Sequence, residues 1–271
     1  MNAISGARRL IERYPRLKSF LQTVARPFRS ATSTHYSRLA ADDVEAVAGR
    51  LQRAWQAMEI PARQREGVDR QLAAYRAGSR DAGFDVLIDT LRPLADQRAG
   101  AERPLTLLEV GCSSGYYSEA FEIKGLRTAY SGCDYSAAFV EMAKLYYPAL
   151  DFQVQNATKL GYSDDAFDVV VSGCCLLHIG DYASAVREAA RVARSHVVFH
   201  RTPVLHRNPT TWYTKRAYGV ETVEIHFNEQ HLVALFAEHG LRVVGIATLH
   251  VDWQDGDAFA SKTYLCEKSQ R

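Results

Sequence analysis

Between residues 105 and 202 short apolar runs alternate with amphipathic stretches. The runs are LTLLEVG (105–111), TAYSGCD (128–134), DFQVQNA (151–157), FDVVVSG (167–173) and HVVFHRT (196–202). Runs of this length, rich in β-branched residues and apolar on both faces, are the pattern of buried parallel strands. Stretches with helical spacing separate them near 116–124, 136–147 and 181–194. Strand–helix alternation of this kind predicts an α/β fold, a mostly parallel sheet with helices on both faces. The tail departs from it, with a helix near 228–239 and then two strand patterns, LRVVGIATLH (241–250) and KTYLCEK (262–268), with no helix between. Strands joined directly pair antiparallel, so a seven-stranded, mostly parallel sheet with a terminal antiparallel strand is expected.

Upstream the texture is helical. Val44, Val47, Leu51, Trp55 and Met58 recur at helical spacing, Pro61 starts a second helix through Val68, Leu72 and Tyr75, and a third runs from Phe84 to about Leu94. The segment DQRAGAERP (96–104) is the best boundary. In residues 1–35 Ile4, Ala7, Ile11, Tyr14, Leu17, Leu21, Val24 and Phe28 mark an amphipathic face broken at Pro15. That segment carries seven Arg and Lys against one Glu, a charge of +6, so the rest of this +2 chain is at −4. It lacks the apolar core and small-residue cleavage site of a secretory signal. Peripheral contact with a membrane surface is one reading, a solvated or packed helix the other. Three parts are therefore expected: a basic segment 1–35, a helical extension 36–100, and a main domain 101–271. Five cysteines without paired or CxxC spacing, and no apolar stretch of spanning length, point to a cytoplasmic protein with reduced thiols and no metal site.

Candidate chemistry gathers at the strand ends, where ligands of open α/β sheets bind. The first strand ends in Glu109 and a GxxxG turn, Gly111 to Gly115, with Cys112 and small residues inside it. Such a turn lets backbone N–H groups approach a ligand, but any tight strand–helix turn can carry two glycines. The second strand ends in Asp134, an acid placed to accept two ribose hydroxyls, followed by Tyr135. The third ends in Asn156 and Ala157, able to read an adenine edge, and the fourth in Gly173 and Cys174.

Residues 105–268 resemble a class I S-adenosylmethionine-dependent methyltransferase, in a bacterial small-molecule or saccharide O-methyltransferase-like subgroup. The motifs carrying the resemblance are LLEVGCSSG, GCDYS, QNATKL and DDAFDVVVSGCCLLHI. It implies a Rossmann-like sheet and S-adenosyl-L-methionine as cofactor. By it Glu109 orients the methionine amino group through the turn, and Gly111, Cys112 and Gly115 surround the amino-acid portion. Asp134 then takes the ribose and Asn156 with Ala157 the adenine. Ser113 stands where the family usually has glycine, and Asn156 where aspartate is common.

Methyl transfer to a hydroxyl needs alignment and a base. His178 and His200 are the candidates, since histidine titrates near neutrality; the alternatives are a residue packed beneath the cofactor and a core histidine. Residues 203–227 form a long insertion, expected to be a loop over the site. Its Tyr213, Lys215, Tyr218 and His226, with Arg201 and Tyr117, are candidate acceptor contacts suited to a small molecule or saccharide such as a sugar nucleotide. Partners of the nucleic-acid class are not expected, because residues 36–271 are mildly acidic and no Asn/Asp-Pro-Pro-aromatic motif follows the fourth strand. A nicotinamide-dependent dehydrogenase is disfavoured by the missing GxGxxG. N- or C-methylation, or a silent adenosylmethionine-binding module, are the remaining alternatives.

Overall fold

The apolar runs become strands because each places successive side chains on opposite faces of one sheet, and both faces are covered. In the computed structural model, residues 36–40, 53–98 and 103–269 are described, with 44, 47 and 49 as isolated positions; the basic segment 1–35 lies outside them. The strands are β1 (Ser37–Arg38), β2 (Leu105–Val110), β3 (Thr128–Asp134), β4 (Asp151–Val154), β5 (Phe167–Gly173), β6 (Ala193–Leu205), β7 (Thr211–Ala217), β8 (Val220–Asn228), β9 (Leu241–Gln254) and β10 (Asp257–Lys268). The helices are α1 (Ile60–Arg76), α2 (Ala82–Asp96), α3 (Tyr116–Ile123), α4 (Ala137–Tyr146), α5 (Tyr182–Val192) and α6 (Glu229–Glu238).

β4, β3, β2, β5 and β6 pair in parallel, in that order. β10 runs antiparallel between β6 and β9, completing the expected seven strands with their antiparallel terminal strand. Alternation decides the core. Leu107, Val171 and Val198 face α1–α4, whereas Leu108, Val170 and Val197 face α5 and α6. On the second face Phe199 stacks on Phe236 with centroids 4.3 Å apart. Each fully buried ring of this kind stabilises the fold by roughly 1.5–3 kcal/mol.

α1 and α2 share this core. Pro61 opens α1, and Asp81 caps α2 by accepting the Phe84 N–H at 3.0 Å. Phe84, Leu87, Ile88, Leu91 and Leu94 then fall on one buried stripe against β2 and α3. Buried Arg65 ties α1 to α4, donating to the Tyr147 hydroxyl at 3.0 Å.

Residues 203–227 differ from the expected loop. Two-residue turn Tyr218–Gly219, both at positive φ (52° and 86°), joins β7 to β8 in an antiparallel hairpin. β8 continues the edge of β6 beyond the end of β5, with Val204 opposite Phe227, and β1 pairs with β7 at the outer edge. Among the described residues no helix is long and apolar enough to cross a membrane.

Gly115 sits at φ 74°, and a Cβ there would lie 2.7 Å from the buried Phe152 ring. Gly115→Ala is expected to cost roughly 2–4 kcal/mol in urea denaturation, since strain and overpacking add. An unchanged midpoint would show that neither constraint operates.

Candidate active site

A cavity of about 720 Å³ opens over the carboxyl ends of β2 to β6. One half is built by the strand-end turns. Gly111 lines it at φ 75°, and a Cβ on Gly111 would fall 2.3 Å from the Cβ of Cys175. Asp134 lines it too, its two oxygens accepting the Ser113 and Ser136 N–H groups at 2.9 Å each. Burial raises the Asp134 pKa, against the lowering effect of those N–H groups. The carboxylate, which the Tyr135 N–H also approaches, keeps acceptor capacity at the cavity, which suits a pair of vicinal hydroxyls. Asn156 spends its amide oxygen on Thr158 N and Oγ1, at 3.0 and 2.9 Å, leaving its NH₂ as a donor at the cavity. Ala157, Tyr135, Gly173 and Cys174 complete this half. A bare glycine turn, a diol acceptor and an amide donor in one row fit an adenosyl cofactor.

Three predicted cofactor residues do not line the cavity. Glu109 lies buried under Gly173, where a Cβ would approach its carboxylate to 2.2 Å, and it accepts the Tyr130 hydroxyl. Burial pushes the Glu109 pKa up to about 8. Cys112 is fully buried against Gly132, and Gly115 faces Phe152. Both serve packing behind the turn.

The other half is walled by the extension, the β7–β8 hairpin and β10. His178 sits in the short turn after β5, half-buried, with Nδ1 2.6 Å from the Val223 carbonyl. A carbonyl only accepts, so Nδ1 carries the proton and Nε2 holds the lone pair of the neutral ring. Burial lowers the His178 pKa, with the Glu224 charge opposing. The Trp55 ring lies 4.9 Å from that of His178. Lys215 is ion-paired with Glu224, which also accepts the Tyr36 hydroxyl at 3.1 Å. Burial alone would raise Glu224, but the His226 hydrogen bond and the Lys215 ammonium hold it down to about 2. Arg201, Lys215 and Tyr218 line this half as expected positions, and Tyr36, Trp55, Gln64, Tyr116, Glu224 and Phe259 line the cavity besides.

Four predicted residues are buried behind the wall. His200 is 1% exposed, with Nε2 on the Tyr117 hydroxyl and Nδ1 on Thr263 Oγ1, both at 2.9 Å. With both ring nitrogens engaged it has none for a substrate proton, and it is a core histidine. Tyr117 is spent on that bond and on one from the Arg201 guanidinium; its neighbour Tyr116, about 100° round the helix, faces the cavity instead. Tyr213 donates to Asp255 at 2.7 Å, and His226 is fully buried beside Glu224. The contributions of Tyr36, Trp55 and Gln64 come from packing distant in sequence and had no local signal. The hairpin had one, in the alternation of TWYTKRA and VETVEIHF about a Tyr-Gly turn.

A family model described as a methyltransferase domain matches residues 108–200. Over 88 residues the chain is 33% identical to a probable S-adenosylmethionine-dependent methyltransferase of Mycobacterium tuberculosis, covering 32% of this chain and 31% of that protein. Over 149 residues it is 32% identical to a ubiquinone biosynthesis O-methyltransferase of Pseudomonas paraeruginosa, covering 51% and 62%. The chain thus spans less than two thirds of the length of each relative. The magnesium protoporphyrin IX methyltransferase of Synechocystis, solved with bound SAM, shares the fold with a TM-score of 0.51 at 13% identity, covering 86% of this chain and 100% of that one.

Burial holds the His200 pKa down to about 3 from an ordinary 6.5, with the Arg201 charge adding to the shift. The unfolded chain therefore binds a proton that the folded chain refuses. The neutral-ring stability is complete above pH 6.5 and is lost progressively as pH falls toward about 3. His200→Gln is expected to flatten the fall of unfolding free energy over that window in urea titrations. Equal slopes for the two proteins would assign the acid sensitivity elsewhere.

Proposed function

We propose, for a chain whose residues 108–200 belong to the class I S-adenosylmethionine-dependent methyltransferases, that the protein methylates a hydroxyl of a small molecule or saccharide. The carrying observation is His178: a residue of the cavity wall, one short turn past Gly173 and Cys174, with Nδ1 pinned to a backbone carbonyl and Nε2 left as a lone pair. S-adenosyl-L-methionine supplies an activated methyl group, so that a carbon–oxygen bond forms as the carbon–sulfur bond breaks and sulfur keeps the electron pair.

The protein's share is to hold, orient and deprotonate. Asp134, Asn156 and the Gly111 turn are the cofactor contacts. His178 Nε2 takes the hydroxyl proton, and the carbonyl of Val223 fixes the ring's tautomer so that the same nitrogen always faces the acceptor. The anionic Glu224 stabilises the imidazolium that forms, which offsets the cost of charging a half-buried ring. Trp55, Tyr116 and Tyr218 present ring faces on which a flat or polyhydroxylated acceptor stacks, and their bulk shields the reacting atoms from water. The relative from Pseudomonas paraeruginosa, named for O-methylation, supports oxygen as the atom methylated.

His178→Ala is expected to lower kcat by about 10²–10⁴-fold while the calorimetric affinity for S-adenosylhomocysteine stays near wild type. A variant that turns over near the wild-type rate with saturating cofactor would remove His178 from the base role. Asp134→Ala is expected to weaken S-adenosylhomocysteine by about tenfold or more, because two charge-assisted hydrogen bonds are lost. Unchanged affinity would mean that the ribose sits elsewhere.

A further inference from the structure

β6 carries a defect in its pairing with β10. Phe199 lies opposite Tyr264 and Thr202 opposite Lys262, so His200 and Arg201 together face the single residue Thr263. This is a β-bulge, a device that re-aims one side chain out of the strand's alternation. Thr263 Oγ1 closes it, meeting His200 Nδ1 at 2.9 Å and accepting the Arg201 N–H at 3.4 Å. Arg201 takes the strain, with φ at 54°, a left-handed conformation that glycine or asparagine adopts more readily. A long charged side chain is kept on a backbone suited to a small residue, and it lines the cavity.

The charges around it are already spent. Among the described residues three carboxylates line the cavity, Asp81, Asp134 and Glu224. Asp81 accepts Phe84 N and Gln71 Nε2, Asp134 accepts two backbone N–H groups, and Glu224 is paired with Lys215. No carboxylate among the described residues forms an ion pair with Arg201; its electrostatic neighbours are the Cys174 thiol and the phenols of Tyr117 and Tyr116. Among the described residues, Lys215 and Arg201 are the Lys and Arg side chains lining the cavity, and Lys215 is paired with a carboxylate whereas Arg201 is not. Its guanidinium spends one donor on the Tyr117 hydroxyl and keeps others; a planar group of this kind in a partly enclosed, aromatic-walled cavity is a recognition group for a carboxylate or phosphate. Its position selects the source. β5 lies between β6 and β2 in the sheet, so the Arg201 backbone stands about two strand spacings, roughly 10 Å, from the Gly111 turn, on the side away from β3 and β4.

We propose that Arg201 is the anion-binding residue of the acceptor half, and that the acceptor carries a carboxylate or phosphate in addition to the hydroxyl that is methylated. This rests on the methyltransferase reading above. The test supplies full-length protein with methyl-tritiated S-adenosylmethionine and a small-molecule extract of the source cells, split on an anion exchanger into retained and unretained pools. Wild-type protein is expected to label the retained pool. Arg201→Gln is expected to lower that labelling by about 10–100-fold, the scale of a lost bidentate charged contact, with Arg201→Lys recovering part of it. Calorimetry with S-adenosylhomocysteine is expected to give the same affinity for wild type and Arg201→Gln, which also shows that the variant is folded. Label confined to the unretained pool overturns the proposal and leaves methyl transfer standing. So does a fall in S-adenosylhomocysteine affinity matching the loss of labelling, because Arg201 would then serve the methionine carboxylate. Label in neither pool removes the methyltransferase reading and this inference with it.

Discussion

The site depends on how closely the ends of β2 and β5 approach. At Gly111 any side chain would overlap Cys175, and at Gly173 any side chain would overlap the carboxylate of Glu109. Two neighbouring parallel strands can turn away from the sheet this near each other only where both turns lack a Cβ. That contact lays down the cavity floor and puts Ser113 within reach of Asp134, so that the β2 and β3 turns are bonded to each other before any ligand arrives. Glu109, held neutral or charged according to a pKa near 8, supports the floor from below.

The extension is part of the same body as the sheet. Its stripe from Phe84 to Leu94 packs in one core with β2, β5 and α3, and Ser113 in the β2 turn donates to Gln64 of α1. The hairpin closes the other wall, with Arg63 of α1 donating to the Tyr218 carbonyl in its turn. Lys215, Glu224 and Tyr36 then join the hairpin to the residue before β1 at the cavity, where burial makes each charge costly unless it is paired.

Much of this was legible from periodicity, and the failures have physical causes. Asp134, Asn156 and Gly173 stand at strand ends, and strand ends in a parallel sheet face one way, so the position alone implies the site. Gly115 misled because the same residue serves packing and ligand approach equally well, and only Phe152, distant in sequence, decides between them. For His200, Tyr213 and His226, alternation tells that neighbours point to opposite faces without telling which face is wet, and for Tyr117 the helical step of about 100° leaves the same question open. The hairpin of β7 and β8 was legible in its alternation, but its pairing was not: Lys215, expected to meet a ligand, is ion-paired with the buried Glu224 across the two strands and stiffens the wall. Trp55 and Tyr36 could not be found locally at all, since their place is set by contacts more than a hundred residues away.

The placement of β10 bears on how the protein is made. This strand is the last of the sheet to leave the ribosome, yet it lies between β6 and β9, and it brings Phe259 and Ser261 to the cavity. Until it arrives, β6 offers an open edge along most of its length, the kind of surface on which nascent chains pair wrongly. The bulge at Arg201 also needs Thr263 to close it. Vectorial synthesis therefore delays the closure of the cavity until the sheet is sealed, and a chain halted before β10 would expose a strand edge around an incomplete cavity.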